Sequence, residues 1–219
     1  MARPRSAKGR AKLTIARLAD EYPGDERQLC ALEHTNAFQL LAATILSAQT
    51  TDENVNQVTP ALFAAYPTPA DLAAADPADV ERIVHRTGFF RSKTKNLLGM
   101  ARALEERFGG EVPARMEDLV TIPGVGRKTA NVVLSVGMGR PGLPVDTHVG
   151  RLSRRLELTA ETDPVKVEFE LNGLVSPAER GTLSLRLILH GRRVCVARRP
   201  RCEECVLQDF CPSSLVPAR

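Results

Sequence analysis

The sequence has no tryptophan, only 4% aromatic residues, and no apolar run long enough to cross a membrane. Its N-terminus also lacks the apolar core of a signal peptide. These absences argue against a membrane-spanning or secreted protein, and we expect a cytoplasmic one. Hydrophobic residues still make up 43% of the 219 residues, enough for a core packed mainly from Leu, Val and Ala.

Alternating runs of β-branched residues are scarce, whereas Ala and Leu recur every three or four residues, as on the apolar face of a helix. A first helix is predicted over residues 12–22. Four residues are predicted to cap later helices: Asn36, Asp52, Ser92 and Asp146. Pro60 is expected to bend or divide the helix that follows Asp52. The sequence therefore predicts an all-α protein of about ten helices with short connections.

Acidic residues are missing from two basic stretches, although the chain has 26 Asp and Glu against 30 Lys and Arg. The first stretch contains Arg3, Arg5, Lys8, Arg10 and Lys12. The second contains Arg186, Arg192, Arg193, Arg198, Arg199 and Arg201. One-signed stretches favour a polyanion such as nucleic acid. The alternative is solvated surface, which suits the N-terminal stretch better than the second one.

Four of the five cysteines lie near the C-terminal end, separated by six, two and five residues: Cys195, Cys202, Cys205 and Cys211. Thiolates this close usually bind metal rather than form disulfides. A tetrahedral zinc ion or a [4Fe–4S] cluster would each use four of them. Zinc sites usually show two paired short spacings, and only one is present here. Cys30 is interpreted as a lone buried thiol.

A tight turn between two predicted helices carries the clearest local pattern. Pro123 fixes its own φ angle, while Gly124 and Gly126 permit unusual backbone conformations and leave room for a ligand. The N–H groups of such a turn suit a phosphate, as does the positive end of the next helix. A plain helix–turn–helix corner is the alternative. Arg127 and Lys128, directly after the turn, favour the phosphate site.

Several segments resemble the helix-hairpin-helix DNA glycosylases, and their endonuclease III branch in particular. Residues 119–130 are similar to the helix-hairpin-helix motif, and Val145-Asp-Thr-His-Val-Gly-Arg151 resembles the catalytic-Asp segment. The cysteine spacing matches the [4Fe–4S] loop of that branch, which residues 46–52 and 188–192 also resemble. The resemblance runs from about residue 12 to residue 212.

The resemblance implies a bifunctional DNA N-glycosylase and abasic-site lyase that removes oxidised pyrimidines from duplex DNA in base excision repair. Lys128 aligns with the family's catalytic lysine and Asp146 with its catalytic aspartate. The helix N-terminus and Arg127 disfavour the ammonium form of Lys128, which favours the neutral amine of a nucleophile. Asp146 can stabilise positive charge at C1′ and assist proton transfer. The plainer alternatives are a phosphate-pairing lysine and an N-cap aspartate.

Other residues are expected to contact DNA. Gln49 and Phe89 are candidates to fill the space left by a flipped base, although Phe89 is equally consistent with a core aromatic. Residues of the turn are expected to contact the DNA backbone: Pro123, Gly124, Val125, Gly126, Arg127 and Thr129. Three arginines between the first two cysteines are expected to bind phosphates while the cluster holds their loop in place: Arg198, Arg199 and Arg201.

The resemblance also implies two helical lobes. Residues 31–140 would form a helical barrel with the hairpin, and residues 141–219 a cluster domain against which residues 1–30 pack. We expect a monomer, associated with the nucleoid of a bacterium or archaeon, that acts on double-stranded DNA with damaged pyrimidines or abasic sites. Alternatives are a mismatch-specific glycosylase, a non-catalytic binder of damaged DNA and a zinc-binding regulator. Val120 and Arg154 depart from the family's usual residues, which could shift substrate preference.

Overall fold

The computed structural model describes residues 4–216, and it contains helices but no strand in that range, as predicted. The α-helices are α1 (Ala7–Glu21), α2 (Glu26–Leu29), α3 (Ala37–Leu46), α4 (Asp52–Ala65), α5 (Pro69–Ala73), α6 (Pro77–Val84), α7 (Phe90–Phe108), α8 (Met116–Leu119), α9 (Arg127–Val132), α10 (Thr147–Arg155), α11 (Pro164–Leu174) and α12 (Arg180–Arg193). A π-helical segment, Val133–Gly137, continues α9. Within the described range, no helix has the length and apolarity to span a membrane.

The chain divides into two compact units. The central unit is one continuous stretch, Cys30–Gly139, and contains α3 to α9. The terminal unit combines the described residues up to Leu29 with the described residues from Arg140 onward. It contains α1, α2 and α10 to α12. Each unit has its own helical core.

The central unit is built around α3 and α7. Seven of the ten residues of α3 are buried, so this helix is apolar on nearly all sides, as expected for a core helix. The longest helix, α7, packs against α3, α5 and α6. Its buried stripe includes Leu97, Met100 and Leu104, spaced three and four residues apart. This helix also contacts Pro123 and Gly124, two of the predicted site residues.

The terminal unit packs α1, α10, α11 and α12 around a shared aliphatic core. Several basic residues belong to this scaffold rather than to an exposed surface. Arg10 donates to the carbonyl groups of Leu156 and Glu157, both at 2.7 Å, just after the end of α10. Arg186 is buried and donates to the Tyr22 carbonyl at 3.0 Å. The two basic stretches are therefore not uniform polyanion-binding faces, and Arg3 lies outside the described residues.

Helix starts follow local capping only in part. The predicted caps are confirmed at Asn36, whose Oδ1 accepts from the Gln39 N–H at 2.9 Å, and at Asp146. The cap of α4 is Thr51 rather than Asp52, and α4 runs through Pro60 without division. The prediction that Ser92 caps α7 was wrong, because the helix already begins at Phe90.

The first helix is also longer than predicted. It begins at Ala7 rather than at residue 12, because Ser6 caps it by accepting from the Gly9 N–H at 3.1 Å. Its end at Glu21 agrees with the predicted end within one residue.

Candidate functional site

The predicted glycine turn joins α8 to α9 in the central unit. The Val125 N–H donates to the Ile122 carbonyl at 3.0 Å, which closes a four-residue turn. Pro123 occupies the second position of this turn, and Gly124 occupies the third with a φ angle of 80°. Proline followed by a residue with positive φ is the pattern of a type II turn. The sequence therefore specifies this turn locally.

Helix α7 supports the turn by close contact. A Cβ atom on Gly124 would lie only 2.8 Å from the Cβ atom of Asn96, and one on Gly99 would lie 3.0 Å from the Cβ atom of Pro123. Both glycines are thus required for the approach of helix and turn. Gly126 differs, because a Cβ atom there would meet nothing within 4 Å. The turn is anchored at Gly124 and open at Gly126.

Lys128 lies in the first turn of α9, and its side chain is exposed. The first N–H groups of a helix have no intrahelical acceptor, and within residues 4–216 no side chain caps those of α9. Pro123, Gly124 and Gly126 are exposed as well. Val125 is buried and anchors the turn in the core. Apart from Val125, the segment can therefore present backbone N–H groups and cationic side chains to an anion.

Two candidate wedge residues lie in strained turns of the same unit. Gln49 follows α3 with a φ angle of 56°, and Phe89 precedes α7 with a φ angle of 47°. Both side chains are exposed, and 67% of Phe89 is accessible to solvent. A left-handed backbone at a non-glycine residue costs about 1 to 3 kcal/mol and often marks a functional site. The interpretation of Phe89 as a core aromatic was wrong, because its ring lies outside the core.

Sequence reasoning missed Lys93, a buried lysine in the first turns of α7. Only 4% of its surface is exposed. Its Nζ atom donates to the Thr87 carbonyl at 2.7 Å, directly beside the Gly88–Phe89 turn. A signal for it existed in the sequence, since Lys93 is four residues before Leu97 on the buried stripe of α7.

Asp146 lies in the terminal unit as the N-cap of α10. Its Oδ1 atom accepts from the backbone N–H groups of His148 and Val149, at 2.8 and 2.9 Å. Both bonds fall on the same oxygen, so Oδ2 remains available to a further partner. The preceding segment is also fixed, because the Ser184 hydroxyl donates to the Pro144 carbonyl at 2.5 Å. The carboxylate is therefore held in one orientation.

Helix α10 is joined to α12 by a close crossing at Gly191. A Cβ atom on Gly191 would lie 2.8 Å from Nδ1 of His148. Arg151 donates to the carbonyl groups of Gly191, at 2.9 Å, and Cys195, at 3.0 Å. The helix that begins at Asp146 is thus tied directly to the segment that carries the first cysteine.

The four C-terminal cysteines line one cavity in the terminal unit. About 320 Å³ in and around it is free of protein atoms, part of this being open to solvent. The thiols of Cys195, Cys202, Cys205 and Cys211 thus share one space. Four thiols around one cavity fit the donor set of an iron–sulfur cluster.

The thiols lie among buried and basic groups. Burial raises the pKa of Cys205 to about 11 and also raises the pKa of Cys211. Metal binding must displace these protons, so it depends on pH. Arg155 donates to the Cys195 sulfur at 3.1 Å and to the Val196 carbonyl at 2.9 Å. A cation therefore lies beside the sulfur atom that would carry negative charge in a metal-bound state.

His190 connects the first helix with this site. Its Nε2 atom lies 3.3 Å from the Cys205 sulfur, and its Nδ1 atom lies 3.1 Å from the Tyr22 hydroxyl. Burial lowers the pKa of His190 to about 4, so the ring is neutral at neutral pH. A neutral ring that donates to the sulfur accepts from the Tyr22 hydroxyl. His190 is thus a buried residue with a partner at each ring nitrogen.

The three arginines between the first two cysteines have different environments. Arg198 and Arg199 are exposed, and Arg199 has a φ angle of 54°. Arg201 forms an ion pair with Glu204 at 3.2 Å and donates to the Arg193 carbonyl. The first two are suited to an external anion, whereas Arg201 has a role within the loop.

Comparisons with known proteins agree with this arrangement. Residues 42–177 match the family described as "HhH-GPD superfamily base excision DNA repair protein", and residues 195–211 match the "Iron-sulfur binding domain of endonuclease III". Endonuclease III of Synechocystis sp. is 51% identical over 95% of this chain and 94% of its own length.

Solved structures of endonuclease III–DNA complexes are similar to most of this chain. A non-covalent endonuclease III–DNA complex has a TM-score of 0.87 at 37% identity, covering 94% of this chain and 95% of that one. A trapped endonuclease III–DNA covalent intermediate has a TM-score of 0.87 at 38% identity, covering 94% and 96%.

The superfamily match includes the glycine turn, Lys128 and Asp146, and the second match begins and ends at the outer cysteines. The all-α fold and the iron–sulfur binding segment agree with the same family. The chain therefore belongs to the endonuclease III family of HhH-GPD base excision DNA repair proteins, and it is a bifunctional DNA glycosylase and lyase, as the sequence predicts.

Proposed function

We propose that this enzyme removes oxidised pyrimidines from duplex DNA and cleaves at the resulting abasic sites, with Lys128 as nucleophile and Asp146 as its catalytic partner. The observation that carries the proposal is the position of Lys128. It is an exposed amine in the first turn of α9, just after a turn that is open at Gly126. A relative has been trapped as a covalent intermediate with DNA, which supports covalent chemistry here, and a lysine amine is a suitable nucleophile for it.

The reaction begins when the damaged nucleotide leaves the base stack, because C1′ is not accessible inside the duplex. The neutral amine of Lys128 displaces the base at C1′, and the base leaves with a proton. The C1′–O4′ bond of the sugar then breaks, O4′ takes up the proton that the attacking amine released, and a protonated Schiff base forms between Lys128 and C1′. This iminium acidifies a C2′ proton. Its removal breaks the C3′–O bond, and water then hydrolyses the Schiff base to free Lys128.

Asp146 supplies a fixed negative charge to this reaction. Its Oδ1 atom is held by two backbone N–H groups, and Oδ2 is left for the substrate. A carboxylate at this point stabilises the positive charge that develops at C1′. It also accepts a proton from the Lys128 amine after attack. The helix cap and the catalytic role use different oxygens, so they are compatible.

Several further residues are proposed to contact DNA. Gln49 and Phe89 fill the space of the flipped base, since both are exposed in fixed turns. The backbone is contacted by the glycine turn and the residues after it: Pro123, Gly124, Val125, Gly126, Arg127 and Thr129. Arg198 and Arg199 bind further phosphates. Arg201 binds phosphate with those N–H groups that its bonds to Glu204 and the Arg193 carbonyl leave available.

The iron–sulfur group is proposed to be a [4Fe–4S] cluster held by Cys195, Cys202, Cys205 and Cys211. The spacing of the cysteines and the cavity that they line support this type. When bound, the cluster crosslinks the C-terminal segment and takes no part in base release. We further propose that residues 31–140 and 141–219, the latter with residues 1–30, act as two domains of a monomer. One chain contains every residue that the reaction needs.

Borohydride trapping tests this function. Reduction of the Schiff base joins enzyme to DNA covalently, and we expect an adduct with duplexes that contain thymine glycol or an abasic site. Lys128→Ala should abolish the adduct, because no amine remains at that position. Asp146→Asn keeps an oxygen for the helix cap but removes the charge, so its trapping rate should fall about 100-fold or more.

The matched control is Lys166→Ala, which removes an exposed lysine of α11. It should trap DNA at the wild-type rate. Failure of the wild-type protein to trap either duplex, while it binds DNA and contains iron, would refute the lyase mechanism. Trapping of the abasic duplex alone would refute the proposed lesion class. An adduct that persists in Lys128→Ala would show that another residue is the nucleophile.

A further inference from the structure

We infer that Lys93 is a positioning residue for base extrusion: its buried ammonium group holds the turn that presents Phe89 to DNA. The inference rests on the proposed wedge role of Phe89 and adds Lys93 to the residues that serve it. Its basis is the bond from Lys93 Nζ to the Thr87 carbonyl, next to a strained turn on which an aromatic ring is exposed.

The turn itself has little intrinsic preference for its conformation. Gly88 and Phe89 both have positive φ angles, 68° and 47°. Glycine accepts such an angle freely, but phenylalanine does not. No side chain within the described residues caps α7 at Phe89. Something outside these two residues must therefore keep the turn in place.

The residues around the turn provide that restraint. The Thr87 side chain is buried and donates to the Val84 carbonyl at 2.8 Å, while the Thr87 carbonyl accepts from Lys93. The Lys93 N–H donates to the Phe89 carbonyl at 3.1 Å, the first helical bond of α7. Lys93 thus holds the turn at two points, one on each side of Gly88.

A lysine is a costly choice for this position if packing were its only role. A buried ammonium group loses its hydration, and it lies near the positive end of a helix. Burial accordingly lowers the pKa of Lys93 below its ordinary value. Leucine or methionine would fill the same stripe of α7 at no electrostatic cost. The ammonium group adds a hydrogen bond to the Thr87 carbonyl. No aliphatic side chain can form this bond.

A fixed turn matters because the Phe89 ring must enter the base stack at the one place where the flipped base has left a space. An aromatic ring on a loose turn would lose orientation entropy on insertion, whereas a held ring does not. A displacement of about 1 Å can cost about 100-fold in rate in a positioned reaction. Lys93 is therefore expected to alter the extrusion step through Phe89, without contact with the substrate.

The test measures base extrusion in the full-length, iron-loaded enzyme. The duplex carries thymine glycol next to 2-aminopurine, whose fluorescence rises when it unstacks, and the rise is followed by stopped flow. Lys93→Met keeps the side-chain length but removes the hydrogen bond. We expect it to slow the rise about tenfold. The control is Lys95→Met, the same change at an exposed lysine two residues further along α7, which should remain within about twofold of wild type.

A double-mutant cycle separates positioning from general stabilisation. Phe89→Ala should slow the rise, and adding Lys93→Met to it should change the rate by less than about twofold. The inference would be overturned if the double variant were slowed by the product of the two single-variant factors. A wild-type rate for Lys93→Met would overturn it as well. A wild-type rate for Phe89→Ala would overturn it together with the wedge assignment. Borohydride trapping of an abasic duplex by the wild-type protein tests the proposed function independently of both.

Thermal melting accompanies each variant. If Lys93→Met does not fold, Lys93→Arg takes its place in the same cycle, because it keeps the charge but cannot place a single nitrogen at the lysine position. Its slowing should again disappear when Phe89 is Ala. Persistence of the slowing in that background would overturn the inference.

Discussion

The two glycines of the hairpin turn should respond in opposite ways to the same small change. Gly124→Ala places a methyl group 2.8 Å from the Cβ atom of Asn96 at a residue with a φ angle of 80°. Gly126→Ala places one in open space at a φ angle of −88°. The first change should destabilise the fold. The second should leave the fold intact but obstruct a phosphate.

The magnitude for Gly124→Ala follows from two costs. A left-handed backbone costs an L-residue about 1 to 2 kcal/mol, and forcing an extra carbon into a packed contact costs about 1 to 3 kcal/mol. The Cβ atom of Asn96 is attached to the backbone of α7, so it cannot swing away. Together these costs lower the free energy of unfolding by about 2 to 5 kcal/mol, which lowers Tm by about 4 to 20 °C in a chain of this size.

For Gly126→Ala, stability should change by less than about 0.5 kcal/mol. Alanine is a poorer N-cap than glycine, but it also reduces the entropy of the unfolded chain. Affinity for an abasic-site duplex should fall about tenfold, or about 1.4 kcal/mol, because the methyl group lies where the turn is open. Thermal melting and fluorescence anisotropy measure the two effects. Equal Tm values for Gly124→Ala and wild type, or unchanged DNA affinity for Gly126→Ala, would refute the reasoning.

Two further predictions concern the terminal unit. Cys205→Ser should yield protein with little iron and a lower Tm. The control, Cys30→Ser, changes a cysteine of the central unit and should keep the wild-type iron content. Equal iron content in the two variants would contradict the assignment of the ligands. Arg198→Ala and Arg199→Ala should each reduce the slope of log K against log salt by about 0.9, with little change in Tm. Arg201→Ala should lower Tm instead, since its side chain bonds Glu204 and the Arg193 carbonyl, and a larger salt effect at Arg201 than at Arg199 would contradict this division.

Features that depend on neighbouring residues could be predicted from the sequence. The caps at Asn36 and Asp146 and the Pro123–Gly124 turn each form between residues a few positions apart. The cysteine spacing likewise suffices to predict a shared site, because all four lie within one short segment. Local chemistry alone determines these features, so a sequence pattern is enough to find them.

Features that depend on distant partners could not be predicted in the same way. Arg186 belongs to a basic stretch, but its acceptor is the Tyr22 carbonyl, 164 residues away. Helix α7 begins at Phe90, and no side chain of the described residues caps it there, so the cap-like Ser92 gave a wrong boundary. Lys93 itself follows the apolar stripe of its helix, yet only the fold shows that its charged end reaches a carbonyl.

The division of the chain also has a consequence for its synthesis. Arg17 in α1 donates to the Val206 carbonyl, 189 residues further along the chain. At a translation rate of about 5 to 20 residues per second, α1 waits about 10 to 40 s for this partner. The central unit is complete once Gly139 has been made. On the ribosome, it can fold while the first helix is still waiting for the C-terminal segment that will bury it.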